Sequence, residues 1–268
     1  MSKNSDKRKF FGCLLWLAAL IGFNIVSNLY QNTSLPSIER TDYYSVSEDS
    51  LEIKRCWKEY YGKWYCLSYV TDTNRIYASE YFRENDVKPS WSPQSEDYWS
   101  SIYSQIYVHE RVELDFIMDS LRQMKLDHNL TYYQFLNSII TLVQDIPYCW
   151  VLRDRKCKEV AVNGRECIEG VEFGLFSPVE FLTQLHGDCD TRTLTLYTLL
   201  KNFGFDVVIF NSDQYLHSML GINTMATGDY KKIGTKKYYF VETTGIGWEP
   251  GVLPSEMSNK NNWYLAQK

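Results

Sequence analysis

Residues 186–210, HGDCDTRTLTLYTLLKNFGFDVVIF, decide the fold. Asp188 has a short polar side chain of the kind that caps a helix, and the apolar positions Leu194, Tyr197, Leu200 and Phe203 continue a helix that begins at Cys189. Gly204 is the stop, because glycine takes the left-handed backbone of a helix terminus without steric cost. Just upstream, Ser177-Pro178-Val179-Glu180 combines a capping serine, a proline at the first helical position and a glutamate three residues after the cap. That pattern predicts a helix from Pro178, ended by Gly187. Downstream come three runs with strand character, residues 205–210, 215–222 and 237–243. A helix followed by an antiparallel sheet predicts the α+β class.

The same stretch places a thiol. Cys189 falls on the first helical turn, where unpaired backbone N–H groups and the positive end of the helix dipole favour a thiolate and lower its pKa. A buried structural cysteine, or a disulfide with Cys149, is the other reading of the same residue. A thiol nucleophile needs a base, and of the four histidines His217 lies on a strand beyond the helix. His109 and His128 fall in or beside upstream helices and His186 ends the preceding one, positions that suit surface or capping roles. Glu242 ends the next strand, and neighbouring antiparallel strands would let it reach and orient the His217 ring. Read alone, Glu242 is as well explained by a solvated strand end.

Working outward, residues 50–107 form a β-rich segment, with LEIKRCW, KWYCLSYVT and RIYAS as strand runs over residues 51–79 and a loop at Trp91-Ser-Pro. Two helical patterns follow. One covers residues 108–125, with Val112, Phe116, Ile117 and Leu121 on one face; the other covers residues 131–144, with Phe135, Ile139, Ile140 and Val143. Residues 31–49 are polar and read as a linker. Before it, FFGCLLWLAALIGFNIV at residues 10–26 opens an uncharged run; its apolar span to residue 30 approaches the roughly 20 residues that cross a bilayer. Lys3, Lys7, Arg8 and Lys9 precede the run, so residues 1–9 are expected in the cytoplasm and the body outside, periplasmic or extracellular. The chain is thus expected to be a single-pass membrane protein; a cleaved signal peptide is the alternative, and both export the body.

Export changes the reading of the seven cysteines, because an oxidising compartment favours disulfides. Cys56 and Cys66 flank a turn at Tyr61-Gly62-Lys63, and Cys157 and Cys167 flank one at Asn163-Gly164. Each pair can form a disulfide, leaving Cys149 or Cys189 as free thiols. No C-x-x-C or H-E-x-x-H occurs, so neither a metal site nor a cofactor is expected. The net charge is −5 over 268 residues, and the positive charges of the first nine residues make the body more acidic still. Such a surface repels phosphate backbones, so no nucleic-acid partner is expected.

Residues 186–210, the Leu216-His217 pair and KKYYFVETTGIGWEPGVLP at residues 236–254 resemble the bacterial branch of the transglutaminase-like superfamily. VQDIPY at residues 143–148 and SPVEFL at residues 177–182 are similar too, so the resemblance spans residues 110–254 within a domain placed at 108–268. It implies a papain-like core whose Cys-His-Asp/Glu triad is Cys189, His217 and Glu242. The Cys189 N–H is one oxyanion donor, with Trp150 or Gln184 as candidates for a second. Calcium-dependent cross-linking members usually carry Trp after the nucleophile and Asp as the third residue; Asp190 and Glu242 stand here, which points away from cross-linking. The expected activity is that of a thiol enzyme on amide bonds of a protein or peptide, by hydrolysis. Amine acyl transfer and a silent module binding peptide or glycan are the alternatives, the last suited by 21 Tyr and 8 Trp.

Overall fold

Trp57 has no exposed surface, and its indole N–H donates to the Ser138 carbonyl at 3.0 Å, joining an N-terminal sheet to the helical layer behind the site. The computed structural model describes residues 41–47, 49–90, 97–160 and 163–268. The expected membrane segment and the Trp91 loop lie outside them. No helix among the described residues is long and apolar enough to cross a membrane.

The fold is mixed α+β with antiparallel main sheets. Strands β1 (Thr41–Ser47), β2 (Ser50–Lys58) and β3 (Trp64–Asp72) form one antiparallel sheet in sequence order. β1 falls inside the stretch expected to be linker, and it pairs with β2 from Thr41↔Arg55 to Ser47↔Ser50. β2 and β3 are in register through Cys56↔Cys66, and these two cysteines are joined as a disulfide. The RIYAS run is not a strand. It lies in helix α1 (Thr73–Tyr81), because the Asp72 carboxylate accepts the Arg75 N–H at 2.8 Å and caps a helix at that point.

The single helix expected over residues 108–125 is two, α2 (Asp97–Glu113) and α3 (Asp115–Asp127). Arg75 takes the Glu113 carbonyl at 2.8 Å and also bonds Asp115, whose carboxylate accepts the Phe116 N–H at 2.8 Å. Those bonds replace the intrahelical ladder at the joint. Ile117 and Leu121 are buried as expected, but Val112 is exposed because it belongs to the outer face of α2. Helix α4 (Tyr132–Asp145) carries a capping box between Thr131 and Gln134 and buries Phe135, Ile139, Ile140 and Val143. The division expected at residue 108 falls within α2, and residues 41–268 make one compact unit.

β4 (Cys149–Leu152) and β5 (Glu166–Glu169) pair in parallel, beside the Cys157–Cys167 disulfide. Helix α5 (Pro178–Gln184) has the capping box between Ser177 and Glu180; it ends at left-handed Leu185 rather than at Gly187. Helix α6 (Cys189–Asn202) follows, with Asp188 as its cap. The second main sheet is β6 (Val207–Ser212), β7 (His217–Ile222), β8 (Tyr230–Ile233), β9 (Lys236–Val241) and β10 (Tyr264–Gln267), in the spatial order β10-β6-β7-β9-β8. Its neighbouring strands are antiparallel. One face, with Val207, Ile209, Leu220 and Val241, joins the main helical core; the other, with Val208, Phe210, Met219 and Phe240, packs under Leu253 and Trp263. α6 is buried around most of its circumference, as Thr191, Thr193, Thr195 and Thr198 show beside its leucines. Two of these hydroxyls, Thr195 and Thr198, are satisfied by carbonyls one turn back, at 2.9 and 2.8 Å.

Candidate active site

The start of α6 is fixed from several sides. The Asp188 carboxylate accepts the Thr191 N–H at 3.0 Å, which satisfies one of the helix's unpaired donors. Arg192 is wholly buried and donates to the carbonyls of Gly187 at 3.0 Å, Val143 at 2.9 Å, Thr243 at 3.1 Å and also Ile146. One guanidinium therefore ties the first turn of α6 to the end of α4 and the exit of β9. Burial lowers its pKa to about 10, so it stays cationic at neutral pH.

Cys189 and Cys149 are free thiols. Cys189 is 6% exposed, and Ser218, one residue past His217 on β7, hydrogen-bonds through its hydroxyl to Asp190, the residue after the thiol. The thiol proton is directed to Asp190 Oδ2, 3.8 Å away. Burial, then the Asp190 and Asp188 carboxylates, push the thiol pKa well above its ordinary value. This corrects the expectation from helix position alone. The dipole favours a thiolate there, but burial and adjacent negative charge outweigh it. Burial likewise pushes Cys149 up to about 12.

His217 opens β7 and its side chain is 9% exposed. Its Nε2 meets Glu242 Oε2 at 2.9 Å. Leu216, just before it, takes the left-handed backbone at φ 49° with its side chain 84% exposed, a conformation that costs a non-glycine residue of order 1–3 kcal/mol. Glu242 is 3% exposed and no solvated strand end. Burial pushes its carboxyl up, but hydrogen bonds from His217 and Thr244 prevail and hold it below the ordinary carboxylate value. The Thr244 N–H and hydroxyl reach Oε1 at 2.7 and 2.5 Å. Gln144 holds the backbone of the same residue, donating to the Glu242 and Trp248 carbonyls at 2.7 and 2.8 Å.

With Nε2 engaged by the acid, Nδ1 is the imidazole atom left to take a proton. Among the described residues the structure holds no hydrogen bond between Cys189 and His217, so the resting contacts are His217 with Glu242 and Cys189 with Asp190. A cavity of about 200 Å³ adjoins the pair, lined by Trp99, Asp190, Asn211, Asp213, Leu216 and His217 among others.

Of the two oxyanion candidates, Trp150 lies on β4 and its indole N–H is buried without a hydrogen-bond partner. Gln184 ends α5, and its Oε1 lies 3.2 Å from His186 Nε2, which leaves the amide NH2 as the group that could donate to an oxyanion. The other histidines take local roles. His109 stacks on Phe82 at 3.8 Å and bonds Glu110, His128 ends α3, and His186 pairs with Glu166 at 3.2 Å.

Four supporting residues were not singled out from sequence. Gln144 lies inside the VQDIPY run, which gives it a signal without a role. Thr244 follows the acid within a quoted motif, Tyr103 sits on α2 with its hydroxyl 2.6 Å from Asp190, and Trp263 packs its ring edge-on to His217 at 6.1 Å. Neither Tyr103 nor Trp263 has a local sequence signal. Among the described residues no group of three or more His, Cys, Asp or Glu side chains is placed to hold a metal ion. In comparisons with known proteins, no family model, curated protein or solved structure matches this chain.

Proposed function

We propose that the chain is a thiol hydrolase of transglutaminase-like type, cutting amide bonds of a protein or peptide through Cys189, His217 and Glu242. The observation that carries the reading is the buried 2.9 Å bond between His217 Nε2 and Glu242 Oε2, with His217 opening the strand whose next residue, Ser218, hydrogen-bonds Asp190 beside Cys189. In this reading His217 Nδ1 takes the thiol proton as Sγ attacks the amide carbonyl carbon. The tetrahedral oxyanion is met by the Cys189 N–H, which has no intrahelical acceptor, and by the unpartnered Trp150 indole N–H. His217 then returns the proton to the leaving nitrogen, the C–N bond breaks and a thioester remains. Water, deprotonated by the same imidazole, attacks the thioester and releases the acid and the thiol. Glu242 keeps the ring in one tautomer and stabilises its cationic form.

Polar side chains line most of the cavity beside His217, and the exposed Asp213 and Leu216 stand at it, which supports water over amine as the final acceptor. The two disulfides support an exported body, since such bonds persist in oxidising compartments. The membrane anchor at residues 10–30 belongs to the same reading. The test is turnover of peptide amides, read as new amino groups, in wild type and in Cys189→Ala and His217→Ala. Each variant is expected to lose at least about 10³-fold. Full turnover in Cys189→Ala would overturn the reading, and incorporation of an added primary amine in place of water would move it to acyl transfer.

A further inference from the structure

Asp190 is a carboxylate the triad does not use, and it lies on the thiol. Its Oδ2 accepts from Cys189 Sγ at 3.8 Å, while Oδ1 accepts from the Tyr103 hydroxyl at 2.6 Å and from the Ser218 hydroxyl. Asn211 braces both donors: its Nδ2 donates to the Tyr103 oxygen at 3.1 Å, and its Oδ1 lies 3.0 Å from the Ser218 hydroxyl oxygen. Tyr103, Asn211 and Ser218 are all buried and come from α2, β6 and β7. The carboxylate is therefore aimed at the sulfur by three separate elements.

We propose that Asp190 is a positioning residue that keeps the Cys189 thiol protonated at rest, so that the nucleophile forms only as its proton passes to His217 during attack. The proposal rests on the thiol-enzyme reading and adds that no standing thiolate–imidazolium pair exists. The proton moves from Sγ to Nδ1, and its bonding electrons stay on sulfur to form the S–C bond.

The ionisable groups around the sulfur are Asp188, Asp190 and Arg192 at the start of α6, Tyr148 before β4, His217 on β7 and Glu242 beyond β9, with Tyr103 of α2 behind Asp190. Asp190 is the one to which the thiol donates. Burial acts in the same direction, since charge on sulfur is disfavoured in an apolar surround, and the neighbouring carboxylates add to it.

The experiment is the pH dependence of Cys189 alkylation by iodoacetamide in the full chain, with the Cys189 peptide read by mass spectrometry so that Cys13 and Cys149 do not contribute. Asp190→Asn keeps the shape and removes the charge. It is expected to lower the titration midpoint by about one pH unit and raise the rate at neutral pH about tenfold. Tyr103→Phe removes a donor from Asp190, leaves it a stronger acceptor and is expected to move the midpoint the opposite way. An unchanged or raised midpoint in an Asp190→Asn chain that melts like wild type overturns the proposal. If Asp190→Asn does not fold, an unchanged or lowered midpoint in Tyr103→Phe overturns it instead. Alkylation needs no turnover, so this failure is separable from failure of the hydrolase reading, which Cys189→Ala tests.

Discussion

β3 alternates buried and exposed positions along its length, with Tyr65, Leu67 and Tyr69 inward and Val70 outward, whereas β6 is buried at every position from Val207 to Ser212. The N-terminal sheet therefore has a face on which a side chain can give way to solvent. β6 has none, because the second sheet is packed there on one face by the helical core and on the other by Leu253 and Trp263. β7 is interior to that sheet, between β6 and β9, and His217 opens it. A position clamped on both faces suits a side chain that must hold a fixed distance to a partner; the one-faced sheet braces α3 and α4 from outside.

The contrast can be broken or sharpened by substitution. The largest effect is expected from Arg192→Met, which leaves several buried carbonyls unpaired at the start of α6; a loss of about 3–5 kcal/mol in urea unfolding is the expected result. In the one-faced sheet the comparable device is covalent. Cys56→Ser with Cys66→Ser opens a link between residues 10 apart and is expected to cost about 2–3 kcal/mol by the same measurement. Next is Gly221→Ala on β7, where a Cβ would lie 2.4 Å from the Phe210 ring and 2.8 Å from Val208. Overpacking of that kind costs about 1–3 kcal/mol, while Val70→Ala on the open face of β3 should stay within about 0.5 kcal/mol. Equal costs for these two would break the contrast.

Smaller effects come from pH. Glu242 is held below the ordinary carboxylate value of 4.5, so its contribution to stability is complete above 4.5 and is lost as pH falls through the lower folded value. His109 runs the other way. Its hydrogen bond with Glu110 raises its pKa above 6.5, so that contribution is complete below 6.5 and is lost as pH rises through the raised value. In melting temperature against pH, Glu242→Gln should flatten the acid limb and His109→Gln the limb above 6.5.

Local signals account for what the sequence made legible. The Ser177 and Asp188 caps, the buried stripe of α4, the paired cysteines around tight turns, the strand that His217 opens and the strand that ends just before Glu242 are each written within a few residues. What was not legible depends on distant partners. RIYAS has strand composition, yet the Asp72 cap and the packing of Ser79 against Glu110 and Ser177 make it helix. β8 and β10 are short, and they are strands because β9 and β6 offer them an edge. At the site, the residue types of the triad could be named, but the charge state of the thiol could not. It depends on the burial of Cys189 and on Asp190, which α2, β6 and β7 hold in place.

The Arg192 clamp has a dynamic consequence. Because one guanidinium holds carbonyls from α4, from the loop before α6 and from the exit of β9, the first turn of α6 cannot fray without releasing all three. Helix ends ordinarily open at little free-energy cost, well below that of global unfolding. Here the amides of residues 191–194 should exchange with solvent only as fast as the whole body opens, so the nucleophile's turn and the entire fold share one protection free energy.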